Sequence, residues 1–154
     1  MIKLVRIDHR LLHGQVIFSW TKQMNVNHIV VADNNVPNDP IAVMALTIAK
    51  PADCKLDIVE IKDVPKVLEK ESDHNYMILL KGPEEALNLT EMIPKITEIN
   101  LGGVAKKKDS IQYGKAVYLD KDELSAIKNL IAKGINIFVQ QVPSSSVENV
   151  DFKK

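Results

Sequence analysis

The sequence predicts a single α/β domain, an open and mainly parallel β-sheet with helices on both faces. Two observations indicate this class. Short apolar, β-branched runs alternate along the chain with segments that carry helix-start and helix-stop signals, which is typical of repeated strand–helix–strand units. Several of these runs are apolar almost continuously, as strands are when both faces of a parallel sheet are covered. Right-handed crossovers are expected between such strands.

Seven runs are predicted to form strands. In chain order they occupy residues 2–7, 28–32, 55–61, 76–80, 96–101, 115–119 and 135–142. Runs of this length, rich in valine and isoleucine, are too short for a membrane span and suit the strands of a sheet.

Four segments between the strands carry helix signals. The first is an apolar pattern over 16–24. Asp39-Pro40 and Gly82-Pro83 place a proline at the first position of a helix, where its missing N–H costs nothing. Asp120 followed three residues later by Glu123 resembles a capping box at the start of the fourth helix.

Residues 1–154 are expected to form one domain, because the chain shows no repeat, low-complexity stretch or interdomain linker. The longest break between the predicted elements is the segment 102–114. The polar C-terminal tail, residues 144–154, is expected either to fray or to dock on a neighbouring molecule.

Composition excludes several classes of protein. The 154 residues include 20 Lys+Arg and 20 Asp+Glu, so the formal charge at pH 7 is zero. This balance argues against binding of nucleic acid, which needs a basic excess, and against electrostatic anchoring to an anionic membrane. The single cysteine, Cys54, cannot form an internal disulfide, and no secretory or membrane-spanning segment is visible. The sequence therefore predicts a cytoplasmic protein.

The loop after the first strand is the first candidate site. In open α/β sheets, ligands bind beyond the carboxyl ends of the strands, where loops lead into helix N-termini. Residues 6–16, RIDHRLLHGQV, occupy such a position and contain two arginines, two histidines, one aspartate and one glycine. Helix-start amides and guanidinium groups favour an anion such as phosphate, and Gly14 allows the backbone to approach it closely.

A histidine in this loop has the chemistry of a nucleophile for phosphorus. Its neutral imidazole keeps one unprotonated nitrogen near pH 7, and Asp8 is placed to hold the other nitrogen. Other interpretations stay open. In one, the histidines are simply solvated. In the other, His9 and His13 bind a metal ion together with Asp8, although the charge of Arg10 would repel a cation. Arg6 lies within the strand pattern, so it could simply pair with a carboxylate.

Other polar segments are weaker candidates. Asp33-Asn34-Asn35 after the second strand is either the border of a pocket or a polar turn. Gly102-Gly103 indicates either a close backbone approach or a turn, and the lysine run 106–108 either a solvated loop or a docking patch. His28 and His74 are interpreted as structural or exposed. No nucleotide-binding, serine-hydrolase or zinc motif is present.

The same loop carries a family resemblance. The string RIDHRLLHGQV, followed by Trp20-Thr21-Lys22, resembles the signature of the enzyme IIB subunits of the mannose/fructose/sorbose family of bacterial sugar phosphotransferase systems. The strings VVADNNVPNDP, ITEINLGGVAKKK and KGINIFVQQVP resemble further segments of that family, so the resemblance covers nearly the whole chain. His9 departs from the pattern, because the family commonly has an acid there, and this leaves Asp8 as the only carboxylate of the loop.

The resemblance implies a phosphotransferase, a protein-N(pi)-phosphohistidine–sugar phosphotransferase (EC 2.7.1.-). His13 stands at the position that the family phosphorylates, through ring atom Nδ1. A phosphohistidine on a IIA domain would donate the group to His13, which would pass it to a sugar bound by the membrane IIC/IID permease. The family also implies an open, mainly parallel sheet with helices on both sides.

Roles for the other loop residues follow from the resemblance and from the chemistry of phosphoryl transfer, which needs positioning and charge neutralisation. Arg10 is the first choice for contact with the phosphoryl oxygens and Arg6 the second, with helix-start amides at Gly14 and Gln15 contributing. Asp8 would orient His13 or an arginine. No metal, nucleotide or other cofactor is expected, because the donor is already an activated phosphoramidate.

The expected partners are the IIA donor and the IIC/IID permease, with the protein cytoplasmic and peripherally associated with that permease. The protein is also expected to form a homo-oligomer and not to bind nucleic acid. An alternative function is a regulatory or scaffold module that binds permease subunits without relaying phosphate. The sequence does not indicate which sugar is transported.

Overall fold

The computed structural model describes residues 1–153, and within them eight strands and five α-helices alternate as the α/β class requires. In chain order these are β1 Ile2–Asp8, α1 Gly14–Gln23, β2 His28–Ala32, α2 Pro40–Ala49, β3 Lys55–Val59, α3 Val64–Lys70, β4 Tyr76–Leu80, α4 Pro83–Met92, β5 Glu98–Gly103, β6 Ile111–Gly114, β7 Val117–Leu119, α5 Lys121–Ala132 and β8 Asn136–Val139. Over residues 1–153, no helix combines the length and the apolarity needed to cross a membrane.

Six of the strands form one sheet in the order β3-β2-β4-β1-β5-β8. Every neighbouring pair in this sheet is parallel. The predicted open, mainly parallel sheet is therefore confirmed. β1 lies inside the sheet between β4 and β5, so the loop that follows it opens at the middle of the carboxyl edge, where α/β sheets bind ligands.

The sheet is covered on both faces. Along β4, Tyr76, Ile78 and Leu80 pack into one apolar cluster with side chains of α4 and α5, whereas Met77 and Leu79 pack into a second cluster with side chains of α1 and α2. The alternation follows from the two-residue period of a strand. Burial of each such isoleucine, leucine or methionine contributes about 1.5–3 kcal/mol to folding. The prediction of helices on both faces is confirmed.

Helix starts follow the predicted capping chemistry. The Asp39 carboxylate accepts two backbone N–H groups at the start of α2, which has Pro40 at its first position. α4 likewise begins with Pro83. At α5, Asp120 and Glu123 form a complete capping box, in which each side chain accepts the backbone N–H of the other residue.

Two predictions of secondary structure need correction. The run at 115–119 does not enter the main sheet, because β7 pairs antiparallel with β6 in a separate two-stranded sheet. β6 lies in the segment 102–114, which lacks a strand signal because its residues are largely exposed and polar. Helix α3 was also not predicted; it has seven residues, too few for a clear apolar period.

The C-terminal segment 144–153 makes contacts with its own domain. Glu148 forms a bridge with Val139 at the end of β8, and its carboxylate accepts the backbone N–H of Lys115 at 3.0 Å. The Phe152 ring stacks on Tyr113 with centroids 5.9 Å apart, which places an apolar anchor near the end of the tail. The last residue of the predicted tail, 154, lies outside the described residues.

Candidate active site

The loop between β1 and α1 lies at the carboxyl edge of the sheet, as the sequence predicts. Asp8 is the last residue of β1, and His13 occupies the N-cap position, directly before the first residue of α1. Two residues of the loop adopt positive φ angles, Leu11 at 57° and Gly14 at 45°. Only glycine adopts such a φ without strain, so Gly14 lets the chain turn directly from His13 into the helix.

His13 is oriented by Asp8. Its Nε2 lies 2.9 Å from the Asp8 Oδ2, and its side chain is 20% exposed. Because a carboxylate only accepts hydrogen bonds, Nε2 carries the proton in this pair, and Nδ1 keeps the lone pair of the neutral ring. The geometry therefore leaves Nδ1 as the unprotonated nitrogen of the neutral His13 ring.

The Asp8 carboxylate is fully buried and is neutralised by both arginines of the chain. The Arg6 Nη2 donates to Oδ2 at 3.0 Å, whereas Arg10 donates from Nε to Oδ1 at 3.1 Å and from its backbone N–H at 3.0 Å. Burial alone would raise the pKa of Asp8, but the hydrogen bonds from His13 and Arg10 and the charge of Arg6 outweigh it. The pKa of Asp8 lies well below its usual range, and the group is ionised at neutral pH.

Arg6 is completely buried beneath the loop. Its Nη1 donates to the Asn100 Oδ1 at 2.5 Å and to the Gln140 carbonyl at 3.2 Å, and its guanidinium lies 5.8 Å from the centre of the Trp20 ring. Among residues 1–153, Nε of this side chain finds no hydrogen-bond partner. Burial lowers the pKa of Arg6, and the charge of Asp8 opposes this effect. Arg6 thus forms an ion pair with Asp8 from beneath the loop. This is the pairing with a carboxylate that the sequence analysis left open for Arg6.

Gly102 on β5 makes room for that arginine. A Cβ added at Gly102 would overlap the Arg6 guanidinium, so the interpretation of Gly102 as a close backbone approach is confirmed. The Gln141 side chain donates to the Gly102 carbonyl, and the Gln141 carbonyl accepts the indole N–H of Trp20 at 2.9 Å. β5, the segment after β8 and α1 are therefore tied together around one guanidinium.

The N-terminus of α1 has the features that favour an anion. His13 at the capping position makes no side-chain hydrogen bond to the helix, and the first turn contains no acidic residue. Gly14 and Gln15 are exposed at this start. Their backbone N–H groups have no partner within the helix, and the helix macrodipole adds positive potential beside the His13 ring.

A shallow cleft adjoins the loop on the side of the small β6–β7 sheet. Its lining includes the basic side chains of His9, Arg10 and Lys106, together with Tyr118 and Gln141. The His9 side chain is 39% exposed, and its Nδ1 lies 3.9 Å from the Asp8 Oδ1. The side chains of Arg10 and Lys106 therefore place positive charge in this cleft beside the loop.

The weaker candidates have structural partners. The Asp33 carboxylate accepts two backbone N–H groups of the turn that follows β2, and the Asn34 side chain accepts the N–H of Ile61 at 3.0 Å, so this segment is a polar turn. Lys107 donates to the Glu123 carboxylate at 2.5 Å and thereby ties the lysine run to the capping box of α5.

Sequence reasoning missed Asn100 and Gln140, which accept hydrogen bonds from Arg6, and Gln141, which ties β5 and α1 together beside it. One signal was available: Asn100 is a polar side chain inside a strand that is otherwise buried and apolar. Such a residue needs a hydrogen-bonding partner within the sheet. The glutamines follow β8, and nothing in the local sequence connects them to a residue more than 130 positions earlier.

Fold and site together define a class: a parallel α/β domain in which a histidine, hydrogen-bonded to a buried carboxylate, lies at an exposed helix start. The chain belongs to the family of phosphotransferase-system (PTS) IIB components, because the family model described as "PTS system sorbose subfamily IIB component" matches residues 2–153. This confirms the family resemblance that the sequence carries.

Individual relatives agree. The sorbose-specific EIIB component of Lacticaseibacillus casei is 32% identical over 155 residues, covering 96% of this chain and 93% of the relative. The mannose-specific EIIAB component of Escherichia coli K12 is 35% identical over 144 residues, and these are 92% of this chain and only 45% of that longer protein. The crystal structure of the IIBSor domain of the Klebsiella pneumoniae sorbose permease matches with a TM-score of 0.91 at 30% identity, covering 97% of this chain and 93% of that one.

We predict that Gly102→Ala destabilises the protein by about 1–3 kcal/mol, because the new methyl group displaces the Arg6 guanidinium from its buried position. Gly103→Ala is the matched control, since a Cβ there makes only ordinary contacts of 3.5–3.6 Å, and it should cost less than about 1 kcal/mol. Urea unfolding of both variants measures the difference. If both variants lose the same free energy of unfolding, the overlap with the Arg6 guanidinium is not what destabilises Gly102→Ala.

Proposed function

We propose that this protein is a phosphoryl carrier that accepts the group on the Nδ1 atom of His13. The observation that carries the proposal is the 2.9 Å hydrogen bond between the His13 Nε2 and Asp8, which leaves Nδ1 as the unprotonated atom. The same carboxylate would stabilise the proton on Nε2 after Nδ1 has gained the phosphoryl group. Membership of the PTS IIB family supports a phosphotransferase with this chemistry.

The proposed relay consists of two transfers. In the first, the His13 Nδ1 lone pair attacks the phosphorus of a phosphohistidine on the donor, a new N–P bond forms, and the donor N–P bond breaks. In the second, a sugar hydroxyl oxygen attacks the phosphorus, the His13 N–P bond breaks and returns its electron pair to Nδ1, and the hydroxyl proton passes to a base or a water molecule beside the sugar. Neither step requires a metal or a nucleotide in this proposal, because the donor phosphoramidate is already activated.

Charge neutralisation is assigned to Arg10 and to the start of α1. The Arg10 side chain is 44% exposed while Nε and Nη2 face Asp8, so its guanidinium lies between the buried carboxylate and the open cleft. The backbone N–H groups of Gly14 and Gln15 supply further donors. Because Arg6 is completely buried, we assign it the positioning of Asp8 instead of the contact with phosphoryl oxygens that the sequence suggested.

The proposed donor is a PTS IIA domain, and the proposed acceptor is a sugar bound by the membrane IIC/IID permease, beside which the protein would act in the cytoplasm. The E. coli relative is named an EIIAB component, a name that joins A and B in one protein, and this supports a IIA domain as the donor. The exposed side chains of Ile41, Met44 and Ile48 on α2 support the expected homo-oligomer, because they leave an apolar face open to a protein surface.

We expect acid-labile phosphate on the wild-type protein after incubation with phosphoenolpyruvate, enzyme I, HPr and a cognate IIA, and none on His13→Gln. His9→Gln is the matched control, because it removes a neighbouring histidine whose Nδ1 lies 3.9 Å from the Asp8 Oδ1. Phosphate mapping by mass spectrometry gives the result. Label that persists in His13→Gln, or disappears only in His9→Gln, contradicts the proposal.

Transfer onward to sugar separates a relay from the alternative of a regulatory or scaffold module. In permease-containing vesicles, the phosphorylated wild-type protein should yield sugar phosphate. A module that holds its phosphate as a signal would be labelled on His13 and would yield none.

Arg10→Ala should slow phosphoryl transfer from IIA by about 10²–10³-fold, because one charged donor to the developing phosphoryl charge is lost. The free energy of unfolding should fall by no more than about 1–2 kcal/mol, since Arg6 still neutralises Asp8. Arg10→Lys keeps the charge without the planar fork and should give an intermediate rate. Rapid-quench kinetics and urea unfolding test both points; a near-normal rate with a stability loss of several kcal/mol would make Arg10 structural.

A further inference from the structure

A second cluster of ionisable side chains lies at the opposite edge of the sheet from His13. Within residues 1–153, one group of three potential metal ligands has its ligand atoms within 4.8 Å of one another: His28, Glu71 and His74. His28 is the first residue of β2, Glu71 ends α3, and His74 lies in the loop before β4. The cluster therefore joins three chain segments at the amino ends of the parallel strands.

The hydrogen bonds of His28 leave one of its ring nitrogens free to bind a metal ion. Its Nε2 lies 2.6 Å from the Asp57 Oδ2, and since a carboxylate only accepts, this nitrogen carries the ring proton. The Nδ1 of His28 consequently keeps its lone pair and points at His74. A carboxylate that holds the outer nitrogen of a histidine is the usual support for a metal-binding imidazole.

Three lone-pair atoms then converge. The Nδ1 atoms of His28 and His74 are 3.0 Å apart, and the Glu71 Oε2 is 3.0 Å from the same His74 Nδ1. A single proton on His74 would have two acceptors and could satisfy only one of them fully. Metal–ligand bonds of about 2.0–2.1 Å in a tetrahedral site place ligand atoms roughly 3.3 Å apart, so a small outward movement of each side chain would admit an ion.

The surroundings supply both rigidity and access. His28 is fully buried, and its ring lies 4.5 Å, centre to centre, from the ring of Tyr76. The side chains of Glu71 and His74 are 23% and 27% exposed, which leaves a path for an ion and room for a water ligand. Lys55 pairs with the Glu71 Oε1, so Oε2 is the oxygen directed at the histidines.

We propose that this chain binds one divalent transition-metal ion of the zinc type through His28 Nδ1, His74 Nδ1 and Glu71 Oε2, with Asp57 as the orienting carboxylate. Two imidazoles and one carboxylate suit zinc better than calcium or magnesium, which prefer oxygen ligands alone. The ion ties the start of β2 to the chain between α3 and β4. The site is independent of the phosphoryl chemistry proposed for His13.

Isothermal titration of the metal-stripped full-length protein with Zn²⁺ tests this proposal. We expect one Zn²⁺ per chain, at least a 100-fold weaker affinity in His74→Gln and Glu71→Gln, and a loss of about 10–100-fold in Asp57→Asn, which removes only the orienting group. His74 and Glu71 are chosen because they are partly exposed, and circular dichroism verifies that each variant folds. Zn²⁺ should also raise the Tm of the wild type but not of His74→Gln.

His13→Gln is the matched control, because it removes a histidine from the other edge of the sheet and should bind Zn²⁺ as the wild type does. Imidazole NMR of the wild type provides the same test without a substitution: Zn²⁺ should shift the resonances of His28 and His74 and leave those of His13 in place. No measurable binding, unchanged binding by His74→Gln, or shifts confined to His9 and His13 would overturn the proposal.

Discussion

The buried carboxylate of Asp8 is the group on which the rest of the site depends. An unpaired charge in this position would cost several kcal/mol, so Asp8 requires the guanidinium groups of Arg6 and Arg10 that surround it. The same carboxylate fixes the ring of His13 and selects its free nitrogen. One ionised group thus joins the stability of the loop to the chemistry proposed for it, and both arginines of the chain pair with it, Arg6 from β1 and Arg10 from the loop.

The sheet places that carboxylate and its partners. Arg6 and Asp8 are two positions apart on β1, so their side chains lie on the same side of the strand. On the neighbouring strand, Arg6 is in register with Asn100, and Gly102 lies two positions further on the same side. A shift of one residue between β1 and β5 would turn Asn100 and Gly102 away from the guanidinium. The site is therefore assembled by parallel strand register and not by the loop alone.

Local sequence patterns predicted most of this architecture, because buried strands and capped helices depend on neighbouring residues. They failed at β6 and α3, whose segments of four and seven residues are too short for a clear apolar period. They also could not show that Arg6 is buried against Asn100 and the Gln140 carbonyl, since these residues are 94 and 134 positions away and meet only when the sheet forms. The local sequence of the loop thus indicated His13 as the proposed nucleophile, but it did not indicate the residues that support the loop.

The position of the phosphoryl group on the His13 ring tests the central claim most directly. Heteronuclear NMR of the ¹⁵N-labelled, phosphorylated protein distinguishes the two ring nitrogens. Our account predicts phosphorus bonded to Nδ1, with Nε2 protonated and hydrogen-bonded to Asp8. Phosphorus on Nε2 would contradict it, because that atom would then have to leave the carboxylate that orients the ring.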